Sequence, residues 1–139
     1  MPSLTRWFIK SAFVFLVVAL ALRIVQSIIP LAKEIPFLNA LGPVYFHLFL
    51  VGWVTQLIFG IVFWMFPKYS MEHPRRSEGL GWATFWLLNL GLGLRVIAEP
   101  MNSIEPRSVW GWLLVLSAIL QWLSGMGFVT NTWVRVKAK

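Results

Sequence analysis

Cysteine is absent from this 139-residue chain. That excludes disulfides, thiolate-held zinc and iron–sulfur clusters ligated by the chain alone, and it leaves the redox compartment unreadable. Charge is nearly as scarce, with 12% charged residues and five acidic side chains in total. Too few polar groups remain to cover a soluble surface, because 58% of the residues are hydrophobic and the mean hydropathy is +0.74. Histidine occurs twice, which leaves little room for a metal centre built from imidazoles. No internal repeat or low-complexity stretch interrupts the pattern.

The hydrophobic residues fall into four blocks, about 7–29, 43–66, 79–98 and 109–131, each near the roughly 20 residues that cross about 30 Å of hydrocarbon. These predict an all-α, four-transmembrane-helix up-down bundle forming a single membrane domain over 1–139. Prolines punctuate the blocks: Pro30 follows the first, Pro43 opens the second, Pro67 closes it, and Pro100 and Pro106 fall in the third loop. The first block is preceded by Arg6 and Lys10 like a secretory leader. It is long for one, carries Arg23 and lacks a small-x-small cleavage pattern, so it reads as a membrane helix.

The formal net charge of +7 does not form a nucleic-acid-binding stripe, because the basic residues sit between and beyond the apolar blocks. Arg6, Lys10, Lys68, Arg75, Arg76, Arg135, Lys137 and Lys139 lie on one side, and Lys33 and Arg107 in the loops of the other. The positive-inside rule then predicts that both termini are cytoplasmic, most simply in a bacterial inner membrane. Trp7, Trp64, Trp82, Trp110, Trp112 and Trp133 cluster toward helix ends as interfacial anchors.

Polar groups are costly inside a bilayer, so function is sought among the few within the spans. They are Arg23, Gln26, His47, Thr55, Gln56, Asn89, Arg95, Glu99, Ser117, Gln121 and Ser124. Under this topology His47, Arg23, Arg95 and Glu99 share one layer near the outer face. A helical wheel groups His47 with Leu50, Val51, Val54, Ile58, Ile61 and Met65, opposite Gly52, Gln56, Gly60 and Phe63. The Gly52-x-x-x-Gln56-x-x-x-Gly60 face is expected to receive a neighbouring helix, with Asn89/Gly93 and Ser117/Gln121/Ser124 as its counterparts. The His47 face would be free for a flat apolar group such as a heme, with His47 as axial ligand of the iron and Arg23 and Arg95 beside the propionates. The alternative is that His47 bonds a carbonyl, Arg23 snorkels outward and Arg95 pairs with Glu99 one turn on. His73, in Glu72-His73-Pro74-Arg75-Arg76, lies across the membrane among lipid headgroups.

The segment His47–Pro67, reading HLFLVGWVTQLIFGIVFWMFP, resembles the second transmembrane helix of heme-copper oxidase subunit I, most closely that of the C-type (cbb-type) oxidases and related small proteins. The shared residues are His47-Leu48, Gly52-Trp53, Phe59-Gly60 and Pro67. The resemblance implies heme b, with His47 as an axial ligand near the outer face and arginines at the propionates. Such a subunit has about twelve spans and further histidines, which are missing, so oxygen reduction by this chain alone is excluded and an independent enzymatic activity is not expected. With one intramembrane histidine, a bis-histidine heme would need two chains; Met101 or a partner subunit could fill the position otherwise, Met126 being too far toward the cytoplasmic end. A trimer placing three His47 side chains around zinc or copper is a further arrangement.

Two functions follow. One is a heme b-binding protein for electron transfer or for heme or gas binding, acting as a homo-oligomer. The other is a cofactor-free accessory subunit of a respiratory or denitrification membrane complex. Transport has little support, since no inverted repeat, broken midplane helix or ring of charges is visible. No nucleophile–base–acid set shares one side of the membrane, which argues against hydrolytic chemistry.

Overall fold

The computed structural model describes residues 1–28 and 34–136. Ile29, Pro30, Lys33, Lys137 and Lys139, which enter the boundary and charge arguments above, lie outside the described residues. Among the described residues, four helices are long and apolar enough to cross a membrane: α1 (Ser3–Ile28), α2 (Pro36–Met65), α3 (Glu78–Ile104) and α4 (Ser108–Arg135, whose last turn from Trp133 is 3₁₀). At 1.5 Å per residue the shortest is about 39 Å long, so each extends past the hydrocarbon into the headgroup layers. The fold is an all-α four-helix bundle of consecutive antiparallel neighbours.

Helices α1, α2 and α3 enclose the core. Near the end that holds the termini, Leu4 and Phe8 of α1 meet Phe63 of α2 and Phe85 and Leu88 of α3. The rings of Phe8 and Phe85 meet edge to face at 5.1 Å. Toward the other end, Ala19 of α1, Val44 and Leu48 of α2 and Leu92 of α3 form a second cluster. Glycines set the spacing. A Cβ on Gly52 would stand 2.8 Å from the Phe15 ring and 2.9 Å from Leu92, and one on Gly60 2.8 Å from the Phe8 Cβ. The Gly52/Gln56/Gly60 face thus receives α1, with Gln56 reaching α3, whose own close-approach glycines are Gly81 and Gly91 rather than Gly93.

Helix α4 lies outside this three-helix core and packs mainly on α3. Without water to compete, hydroxyl-to-carbonyl bonds join them: Ser124 Oγ donates to Thr84 O at 2.8 Å and Ser117 Oγ to Gly91 O at 2.6 Å. The serines therefore serve the α3–α4 seam, not α2. Phe128 stacks on Phe59 at 3.9 Å, giving α4 a foothold on α2.

At the termini end the loop between α2 and α3 is held by the end of α4. Ser77 caps α3 by accepting from the Leu80 amide at 3.1 Å. Asn131 exchanges two bonds with the Ser77 backbone, and Arg76 donates to Thr130 O. Arg135, 1% exposed, donates to Phe63 O, Phe66 O and Pro67 O at 2.8–3.1 Å, satisfying carbonyls that the end of α2 leaves without amide partners.

Pro43 stands as expected in the first turn of a helical segment, Gly42–His47, although a short helix over Pro36–Ala40 and a turn at Leu41 precede it within the same span. Its missing N–H is one that a first helical turn leaves unpaired anyway. Pro100 sits differently from the expectation: it is buried within α3, which runs on to Ile104. A proline inside a helix removes one hydrogen bond, and packing of the surrounding turn offsets that loss.

Gly52→Ala is expected to lower stability by about 1–3 kcal/mol through overpacking against Phe15 and Leu92. Gly93→Ala, where a Cβ meets nothing within 4 Å, should leave it unchanged or slightly raised. Thermal unfolding in detergent, followed by circular dichroism, compares the two.

Candidate functional site: the His47 layer

Immediately after His47, α2 departs from α-helical winding, with π-type turns over Leu48–Thr55. Thr55 Oγ1 donates to Leu50 O, five residues back, at 2.9 Å, which matches that wider turn. Each π turn holds more residues than an α turn, so a wheel drawn at 100° per residue loses register across the segment. Leu50, Ile58, Ile61 and Met65 do face outward, at 36–68% exposure. His47 does not share their surface but turns toward α3.

The imidazole there is tied at both nitrogens. Nδ1 lies 2.9 Å from Pro43 O, which can only accept, so Nδ1 carries the proton. Nε2 therefore presents its lone pair, and Arg95 NH1 donates to it at 2.9 Å. Glu99, one turn along α3, places Oε2 3.1 Å from His47 Nδ1 and Oε1 3.9 Å from Arg95 NH1. The single Nδ1 proton points at the carbonyl, so Oε2 has electrostatic company without a hydrogen bond. The three side chains keep 16–28% exposure, as befits a layer at the membrane edge.

The layer continues into α4. Arg95 Nε donates to Ser117 Oγ at 3.4 Å, and Gln121 Nε2 donates to the same oxygen at 3.0 Å while that hydroxyl donates to Gly91 O. Ser117 Oγ thereby uses its donor and both acceptor sites. Deeper, Gln56 Nε2 reaches Asn89 Oδ1 at 3.4 Å, and Asn89 Nδ2 donates to Phe85 O. One polar chain runs from His47 on α2 through α3 to Gln121 on α4.

Of the expected site residues, the structure brings His47, Arg95 and Glu99 together and leaves Arg23 elsewhere. Arg23 lies over the Tyr45 ring, 5.8 Å from its centroid. Tyr45 precedes His47 by two residues, about 200° around the helix, so Arg23 stands on the opposite flank of α2. His73 is exposed in the α2–α3 loop at the termini end, far along the bundle from His47. Met101 lies within α3, half-buried, and Met126 is exposed on α4.

Whether a heme fits this layer is decided by the imidazole. The Nδ1–H···O=C bond to Pro43 is the outer-shell support that ligand histidines commonly have. However, the Nε2 lone pair that iron would take is engaged by Arg95, in the seam between α2 and α3. Turning the ring outward toward lipid would break the bond to Pro43. The residues as arranged do not fit a heme. Among the described residues no group of three His, Asp or Glu side chains is placed to hold a metal ion.

Sequence reading passed over Trp122. It projects from the middle of α4, about 21 Å from Ser108 and about 15 Å from Thr132 along the axis. Its side chain is 63% exposed, and its indole N–H bonds nothing among the described residues. The available signal was position: the other exposed α4 tryptophans, Trp112 and Trp133, sit near the helix ends where interfacial anchors belong.

Comparisons with protein-family models, with curated proteins and with solved structures find no match.

Removing one member of the layer should cost more than removing two. Arg95→Met strands Glu99, and a loss of about 2–3 kcal/mol is expected, below the range for fully buried pairs because both groups keep some exposure. Arg95→Met/Glu99→Met should recover at least half of it. Unfolding midpoints of the wild type, the two single variants and the double variant give the coupling energy.

Proposed function

We propose that this chain is a small accessory subunit of a larger membrane complex, resident in a bacterial cytoplasmic membrane with both termini inside. The His47 layer serves as a structural clamp in this reading. Arg95 and Glu99 balance one another in charge, and the bond from Arg95 to His47 fastens α2 to α3 at their outer ends, as Ser117 fastens α3 to α4.

The observation that carries the assembly reading is Trp122. A tryptophan at mid-membrane depth with an unpaired indole N–H is poorly served by hydrocarbon and well served by an oxygen acceptor on an adjoining protein helix. The occupant is a transmembrane helix of the partner complex with a carbonyl or hydroxyl at that depth. A photo-crosslinking amino acid at position 122 should give one discrete heavier adduct in native membranes, whereas the same probe at the lipid-facing Val17 of α1 gives none. Equal, diffuse labelling at both positions overturns the proposal. An adduct of twice the chain mass replaces the foreign partner with a second copy.

One observation favours a second reading, a heme b-binding protein of the heme-copper oxidase subunit I type. The proton of His47 is fixed on Nδ1 by Pro43, which leaves Nε2 as the nitrogen able to meet iron if Arg95 withdraws. The accessory reading expects no Soret band in protein purified after expression with heme supplied. A Soret band that vanishes in His47→Ala would install the second reading, and Arg95→Ala, by freeing Nε2, should then strengthen it.

A further inference from the structure

The structure assigns an anionic phospholipid site to the exposed stripe of α1 at the termini end. A groove of about 520 Å³ runs along this stripe, and its lining changes character with depth. Arg6 and Lys10, one turn apart, stand over its upper part with the Ser3 and Ser11 hydroxyls. Trp7, between the two cations in height, forms one side of that upper part, and Val14 and Phe15, a turn beyond Lys10, line the apolar lower part. Cations flanking an indole above and an apolar wall below match a phosphate headgroup with the upper part of its acyl chains.

Three observations separate this stripe from an ordinary solvated helix face. Both cations are exposed, and neither has a carboxylate within ion-pair distance among the described residues, whereas Arg75, Arg95 and Arg107 each have one. Beginning at Ser11, α1 carries no charge until Arg23, so Lys10 marks the hydrocarbon boundary and Arg6 lies about 6 Å farther out, at phosphate level. Trp7, 54% exposed, is steadied edge-on by Trp82 at 6.4 Å and Phe85 at 6.2 Å, so the groove has a rigid aromatic side rather than a mobile one. Charge complementarity thus selects the headgroup class, and the apolar wall selects a lipid over a free anion.

The test uses the full chain in detergent micelles doped with equal amounts of phosphatidylglycerol and phosphatidylcholine of identical acyl chains, read by native mass spectrometry. Retained phosphatidylglycerol should exceed phosphatidylcholine on the order of tenfold, the scale expected of two basic residues at a membrane surface. Arg6→Gln/Lys10→Gln should bring the ratio close to one. Lys68→Gln, an exposed basic residue at the same end, should leave it unchanged. The charge-keeping pair Arg6→Lys/Lys10→Arg, with unaltered helical circular dichroism, should retain the preference and so separates lost charge from lost fold. Equal retention of the two lipids by the wild type, or the same loss in Lys68→Gln, overturns the assignment. Release of the bound lipid by millimolar inorganic phosphate also overturns it, since the site would then be an anion site without a lipid wall.

Discussion

Hydrocarbon offers no hydrogen bonds, and that constraint organises this molecule. Every polar group carried into the span is costly unless it finds a partner within the chain or just beyond it. The seams between helices follow from it: Ser124 on Thr84 O, Ser117 on Gly91 O and Gln56 on Asn89. The same constraint explains how His47, Arg95 and Glu99 come together. An arginine near the end of a membrane helix needs both an anion and acceptors. Glu99 supplies the first at i+4, and His47 and Ser117 supply the others from the two flanking helices.

Much of this architecture is legible in the amino-acid order. Four apolar stretches of sufficient length, with few charges inside them, define four spans, and short connections make neighbours antiparallel. The Arg95–Glu99 spacing of four announces an ion pair. The face of α2 bearing Gly52, Gln56 and Gly60 is correctly assigned to helix packing, because small residues and one amide at that period have few other uses in a membrane. What periodicity could not supply is the winding of α2. A run of Leu, Phe, Val and Trp contains nothing that distinguishes α from π turns, so the orientation of His47 relative to Ile58 and Met65 was beyond a regular wheel. Pro100 misled for a related reason: it forbids one hydrogen bond, and whether a helix stops there depends on tertiary contacts at buried positions such as Ala98.

The assignment of partners to the α4 serines failed differently. Their spacing identifies a packing face but not which neighbour receives it, and α3, with Gly91 and the Thr84 carbonyl at matching heights, takes it instead of α2. Arg23 and Arg95 also share a depth, yet depth says nothing of azimuth. One turns to the core of the bundle and the other covers Tyr45 on the far flank of α2. A layer inferred from height alone will always contain residues that never meet.

Arg135 has a bearing on how the bundle is assembled. Its guanidinium closes the carbonyl end of α2, yet it reaches that end from the last turn of α4, 68–72 residues along the chain. Until α4 has packed, that end must therefore rely on water or headgroups, and the second helix gains its permanent stopper only as the bundle closes. A molecule with its fourth helix displaced would hold the other spans in place with the second one left uncorked, which gives cellular quality control a marker for misassembled copies.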